Sequence, residues 1–305
     1  MMKGELMRLR YFVLDVFSDR VFGGNPLAVV FDGEQLDDAT MQSIAAEFNL
    51  SETVFVLPPT VPQATHRVRI FTPRAEVPFA GHPSVGSAFL LASLGECDLS
   101  VAEPAIVLQE QIGNVVVRVF SEQGRVVSTR MSVPQMPARV AATIDAEALA
   151  AMLSLEPHDL HPVIAPQAWS CGIAFLYVPV RDIAAARRAV LRLDLWERQL
   201  QQQAACNVYV LAFEAELPGA HIHARMFAPA FGVFEDPATG SAAAALAGLL
   251  AAEFPEGRTQ WLIEQGVELG RASRLALEYQ RAASGLDSVQ VGGPSVRVAE
   301  GVIQL

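Results

Sequence analysis

The stretch FEDPATGSAAAALAGLL (Phe234–Leu250) joins an acid and a proline to a tail of small apolar residues. A helix over 241–252 has no polar face, so protein must enclose it on every side. Its alanines and Gly248 let the enclosing wall come close, and a helix threaded through a curled sheet meets both demands. The first N–H groups of such a helix have no internal partner, and the helix dipole adds partial positive charge there. Gly240 and Ser241 would therefore offer free donors, suited to a carboxylate or a developing enolate-like oxygen.

The stretch has a twin. RIFTPRAEVPFAGHPSVGSAFLLASLG, from Arg69, resembles HARMFAPAFGVFEDPATGSAAAALAGLL, from His223. Arg69-Ile70-Phe71 matches Arg225-Met226-Phe227, and Pro73 matches Pro229. Further on, His82-Pro83-x-x-Gly86-Ser87-Ala88 is aligned with Asp236-Pro237-x-x-Gly240-Ser241-Ala242. Each copy reads as a strand, a loop, a polar residue followed by proline, and an apolar helix, which points to duplication of one fold. In this register Gly86 and Ser87 stand where Gly240 and Ser241 stand and would likewise offer free N–H groups and a hydroxyl to bind substrate; the equivalent loops could meet across a shared cleft, where ligand sites prefer to lie.

The remaining pattern alternates strands and helices. Strands are expected at Tyr11–Val16 and Pro26–Phe31 around FGGNP, at Thr53–Leu57, and at Arg67–Phe71. Helical spacing covers Asp37–Phe48, with Asn49 as a left-handed stop, and 84–94. Strands carry the chain to Pro134, and SVPQMPARVAATID (132–145) reads as the linker. A helix near 146–153, a strand at 173–178, helices between 182 and 203 and a strand at 207–213 follow, then strands at 224–227, 261–264, 275–279 and 295–299. The fold class is α+β. One domain spans 1–130, with the strand near 296–305 available to complete it, and a second spans 131–295.

Composition narrows the partners. At 305 residues and 51% hydrophobic, the chain can bury two sizeable cores. Its formal charge of −11, without clustered Lys or Arg, works against nucleic acid. No apolar run reaches the ~18 residues that a membrane helix needs. The start MMKGELMRLR lacks the apolar stretch of a signal peptide, so a cytoplasmic location is expected. Cys97, Cys171 and Cys206 lie far apart, in no metal-ligand spacing, and read as reduced packing residues. His221 and His223 alternate along one strand but lack a third ligand, so they read as surface or core histidines and no metal is expected. The glycine pairs 23–24 and 292–293 lack the context of a dinucleotide site, and no cofactor is indicated.

Three side chains carry the candidate chemistry. His82 can exchange a proton near neutral pH, while Asp236 is normally ionised, so the two suit acid and base roles. Glu52 sits at a helix-to-strand junction, where partial burial would raise its pKa and let it take and return a proton.

FGGNPLAVV, NLSETVFV, RIFTP, AGHPSVGSA and FEDPATGSAAAALAGLL, followed by QGVELGRAS and VGGPSVRVAEGVIQL, together resemble the PhzF-like phenazine-biosynthesis proteins of the diaminopimelate epimerase-like superfamily. The resemblance implies two pseudo-symmetric domains, each a mixed sheet rolled into a barrel around a central helix, with the active site between them and commonly a homodimer. It implies Glu52 as the proton-shuttling glutamate, His82 and Asp236 flanking the substrate, and Gly81, Gly240 and Ser241 helping to bind it. It also implies a small acidic substrate and isomerase chemistry like that of trans-2,3-dihydro-3-hydroxyanthranilate isomerase, without metal or organic cofactor. One departure is Ala272 in Arg271-Ala272-Ser273, where the family more often has proline. The superfamily's two-thiol epimerases are disfavoured, since none of the three cysteines falls in either motif. An epimerase working through carboxylate and imidazole, or a non-catalytic protein binding a small acid or a partner, fits the same residues.

Overall fold

A computed structural model describes residues 7–282 and 285–305, so the leading MMKGEL lies outside the described residues. The chain divides into two compact units, Met1–Met131 with Gly293–Leu305, and Ser132–Gly292.

In the first unit β1 (Arg8–Val16) and β2 (Asn25–Val30) pair antiparallel. The loop between them turns at Gly24 (φ +61), where a Cβ would stand 2.2 Å from the Val16 carbonyl oxygen. That position requires the glycine of FGGNP. Helix α1 (Asp38–Phe48) starts where the Asp37 carboxylate accepts the Thr40 N–H at 2.8 Å and stops at left-handed Asn49, burying Met41, Ile44 and Ala45. This crossover lays β3 (Glu52–Leu57) parallel to β2. Then follow β4 (His66–Phe71), the two-residue β5 (Glu76–Val77), α2 (Gly81–Ser93), β6 (Ala105–Glu110), β7 (Gly113–Glu122) and β8 (Arg125–Ser132). The last strand, β18 (Ser295–Gln304), pairs with β1 along its length. The order is β18-β1-β2-β3-β4-β6-β7-β8, with β5 on the end of β4. Strands β18, β1, β2, β3, β6 and β7 all pack on α2, so the sheet curls around it. Every residue from Gly81 to Ala92 is buried.

The second unit repeats this plan. Its elements are β9 (Ala138–Val140), α3 (Ala146–Met152), β10 (Gln167–Ser170), β11 (Ala174–Pro179), α4 (Ile183–Arg188), α5 (Leu193–Gln199), β12 (Asn207–Ala212), β13 (Ile222–Ala228), β14 (Val233–Asp236), α6 (Gly240–Glu253), β15 (Gln260–Gln265), β16 (Ser273–Ala282) and β17 (Gly285–Gly293). The order is β9-β10-β11-β12-β13-β15-β16-β17, with β14 beside β13. Parallel pairs fall at β2–β3 and β4–β6 in one unit and at β11–β12 and β13–β15 in the other. The central helix is α6, against β9, β10, β11 and β16. Among the described residues no helix is long and apolar enough to cross a membrane.

Two expectations change. The expected linker holds β9, which pairs Ala138–Val140 with Ser170–Ala168 and so gives the second sheet the strand that β18 gives the first. Helix α2 begins at Gly81, not near residue 84, because a proline in the first turn surrenders an N–H that has no intrahelical partner anyway.

The wall around α6 leaves no room at Gly248, where a Cβ would lie 2.2 Å from Cε3 of Trp169. That ring is held by its Nε1–H, which donates to Gln167 at 2.9 Å. Gly248→Ala is expected to destabilise the second unit by about 1–3 kcal/mol through overpacking, more than the ~1 kcal/mol that alanine adds to helix propensity. A thermal melt checks this: the variant should unfold several degrees lower, and an unchanged or higher midpoint would refute the close fit.

Candidate active site

Three chain segments bring Glu52 and His82 together in the first unit. Parallel pairing sets Leu27 of β2 opposite Glu52, the first residue of β3. The next carbonyl back, that of Pro26, accepts a hydrogen bond from the His82 imidazole at the start of α2. Nε2 of His82 has no hydrogen-bond partner among the described residues, so the donor to Pro26 is Nδ1. The Nε2 lone pair then faces Oε2 of Glu52 at 3.4 Å. His82 is 6% exposed, and burial pushes its pKa down to about 3 against the opposing bond to Pro26. The imidazole is neutral, so the contact with Glu52 is not an ion pair. Such a pair can share one proton, carried by the carboxyl and accepted by Nε2.

The loop before α6 is built differently. Asp236 ends β14, and its Oδ2 accepts the Thr239 hydroxyl at 2.5 Å. Gln265 donates to the Asp236 carbonyl at 2.8 Å and to Thr239 Oγ1 at 3.0 Å, while its own Oε1 accepts the Thr239 N–H at 3.2 Å and the Tyr209 hydroxyl at 3.1 Å. Burial, with the Asp236 charge adding to it, drives the Tyr209 pKa far upward and keeps the phenol a donor. Ser273 of the RAS segment donates to the Pro237 carbonyl at 2.8 Å. The segment from Asp236 to Thr239 is thus held by Gln265 and Ser273, with Tyr209 behind Gln265, and Ser241 is half-buried.

Neither central helix has a side-chain N-cap; the cap positions are Ala80 and Thr239. Gly81 opens α2 and Gly240 opens α6, both buried, so the first-turn donors are not consumed by a cap.

A second duplicated feature resets the repeat's register. Arg69 forms a two-pronged bond to Glu76 at 2.7 and 2.7 Å, and Arg225 does the same to Glu235 at 2.8 and 2.9 Å. Each guanidinium also lies over the phenylalanine two residues on, Phe71 and Phe227. From Glu76 to Gly81 is the same step as from Glu235 to Gly240, with Pro78 and Pro237 matching on the way. His82 therefore corresponds to Ser241, and Asp236 corresponds to Val77. The sequence alignment of His82 with Asp236 is out of step. Ser87, expected to bind substrate, sits inside α2, fully buried and away from the helix start, so that assignment is withdrawn. The repeated Glu-x-Pro of EVP and EDP was the unused signal.

The other candidates have structural work. His221 Nδ1 accepts the Leu262 N–H at 2.9 Å. His223 is fully buried between Glu264 (2.7 Å) and Glu268 (3.0 Å). Burial opposes its charge, but the two carboxylates outweigh burial and hold its pKa up to about 9. Burial pushes the Cys171 thiol up to about 12 and raises those of Cys97 and Cys206, so none of the three is poised as a thiolate. Among the described residues no group of three or more His, Cys, Asp or Glu has the geometry to hold a metal ion.

Residues 14–301 match the family described as phenazine biosynthesis-like protein, PhzC-PhzF. The chain belongs to that family. It is 42% identical to an uncharacterized isomerase of Mesorhizobium japonicum, over 95% of this chain and 97% of that protein. It is 37% identical to trans-2,3-dihydro-3-hydroxyanthranilate isomerase of Pseudomonas aeruginosa, over 96% and 98%. Its fold matches the crystal structure of the Bacillus anthracis phenazine biosynthesis protein of the PhzF family, with a TM-score of 0.87 at 24% identity over 98% and 100%. The fold is diaminopimelate epimerase-like, and the chain is an isomerase.

The two buried histidines set opposite pH dependences. Between its folded value of about 3 and the ordinary 6.5, His82 binds a proton only when unfolded, so stability falls as pH drops below 6.5. Between 6.5 and about 9, His223 keeps a proton that the unfolded chain has lost, so stability falls as pH rises through that window. Denaturant melts across pH should show His82→Gln flattening the acid limb and His223→Gln flattening the alkaline limb; equal slopes in parent and variants would contradict the assigned charge states.

Proposed function

We propose that this isomerase moves a proton along a small conjugated carboxylic acid by acid–base catalysis, without metal or organic cofactor. The observation that carries the reading is the 3.4 Å approach of Glu52 Oε2 to a His82 Nε2 kept neutral by burial, while the bond to Pro26 fixes the ring's orientation. Glu52 as carboxylate takes a proton from a carbon next to the conjugated system, and the C–H electron pair moves into that system. The resulting carboxylic acid is stabilised by hydrogen bonding to Nε2, then gives the proton to a carbon further along, which restores the carboxylate. Nothing is oxidised or reduced.

Gly81 and Gly240 open helices whose donors suit the substrate's carboxylate and developing negative oxygen. Asp236, held by Thr239 and Gln265, is assigned to orient a polar group of the substrate, and Ser241 to bind it. The relative in P. aeruginosa is named for its action on trans-2,3-dihydro-3-hydroxyanthranilate, which makes that compound the first substrate to test.

Glu52→Gln removes the proton acceptor while keeping shape. Positioned general bases contribute about 10²–10⁴-fold, so kcat should fall at least ~100-fold with KM little changed. The assay follows isomerisation in deuterated water by mass and absorbance. Parent-level turnover by a correctly folded Glu52→Gln would sink the proposal, and loss of optical activity with α-deuteration of an amino or hydroxy acid would favour an epimerase instead.

A further inference from the structure

In β6 the side chains of Ile106, Leu108 and Glu110 alternate toward the interior, so an acid ends an otherwise apolar row facing α2. Glu110 is 6% exposed. Its Oε1 lies 2.6 Å from the Ser84 hydroxyl, and that same hydroxyl lies 2.8 Å from the carbonyl of Ala80, the residue just before Gly81 and His82. A hydroxyl has one proton. If Ser84 gives it to Ala80, Glu110 must supply the other; if Ser84 gives it to Glu110, the Ala80 carbonyl faces only lone pairs. Both contacts are attractive together only when Glu110 is protonated.

We infer that Glu110 and Ser84 form a buried relay, neutral acid to hydroxyl to carbonyl, that fixes the first turn of α2 and so aims Gly81 and His82. Glu110 is then a positioning residue, not one that touches substrate, and the inference rests on the reading of His82 as part of the site. The Ser84 N–H reaches Ala80 at a long 3.3 Å, so the hydroxyl is the stronger tie on that carbonyl. Glu110 Oε2 has no hydrogen bond among the described residues, and an ionised carboxylate would be buried without compensation. Burial accordingly pushes this carboxyl up to about 8, with Ser84 opposing. The surrounding elements bring few charges to it. Helix α2 carries one titratable side chain, His82; β7 carries Arg118, paired with Ala105 at the far end of β6, and Glu122; β4 brings His66 and Arg67 beside Leu108 and Gln109, and Arg69, which is held by Glu76. None of these contributes to the displacement of Glu110.

The test uses the full chain labelled with ¹³C in glutamate carboxyls and ¹⁵N in amides, with the Glu110 signal assigned by its loss in E110Q. In the parent, Glu110 should be protonated at pH 7 and ionise near pH 8, and the Gly81 and His82 amide signals should move with it. In E110Q, which keeps a donor at every pH, those amides should stay still through that range; in S84A they should no longer follow Glu110. A carboxylate signal from Glu110 at pH 7, or amides that move alike in parent and E110Q, would overturn the inference. If E110Q does not fold, the S84A comparison decides in the same way. On trans-2,3-dihydro-3-hydroxyanthranilate, E110L should lower kcat about tenfold while leaving KM near the parent's; the parent's kcat should fall as Glu110 ionises above about pH 8, and E110Q should keep most of the parent's kcat without that fall. Absence of turnover by the parent would count against the proposed function, while the amide titration would still decide the relay.

Discussion

A helix without a polar face can persist in water only inside something, and both units of this protein are built around that constraint. Helices α2 and α6 bury almost every residue, and each is wrapped by strands in the same order with the same parallel steps. Alanine and glycine on the helix are the condition for that wrapping, as the Trp169 ring against Gly248 shows. The one end of such a helix that cannot satisfy itself is its first turn. With Ala80 and Thr239 at the cap positions, neither cap side chain consumes those donors; His82 lies in the first turn of α2 and Ser241 in that of α6.

The same burial sets the chemistry. His82 and His223 are both buried imidazoles, yet one is neutral and the other charged. Burial alone moves a histidine downward, and His82 gains only a carbonyl in return. His223 gains two carboxylates at 2.7 and 3.0 Å, and their attraction exceeds the desolvation cost. The neutral ring can accept a hydrogen bond from a protonated Glu52, whereas the charged ring serves as a fixed tie. Two guanidinium clamps, Arg69 on Glu76 and Arg225 on Glu235, hold the short strands that lead into the central helices.

Much of this was legible in the residues themselves. The all-apolar stretch from Ala242 forces an enclosed helix, Asp37 and Asn49 bound α1, and the Glu52 junction stands where expected. The duplication is visible in Arg-x-Phe because a packed guanidinium and ring recur in both units. The register beyond it is not, because Pro-x-x-Gly occurs twice in the first copy, at Pro78–Gly81 and Pro83–Gly86, and only the Arg–Glu pairing across β4–β5 and β13–β14 tells them apart. Strands of two to four residues carry no periodicity to read, so β5, β9 and β14 escape. Glu110 escapes for another reason: an acid at a strand end looks solvated until the strand's alternation is known to point it inward.

The central claim is that burial keeps His82 neutral, with its proton on Nδ1 toward Pro26 and its Nε2 lone pair toward Glu52. Nitrogen-15 NMR of the histidine-labelled chain, with His82 assigned through His82→Gln, reads both tautomer and charge. The ring should remain the neutral Nδ1–H form from pH 5 to pH 8. An imidazolium signal that titrates near 6.5, or a neutral ring protonated on Nε2, would contradict the account.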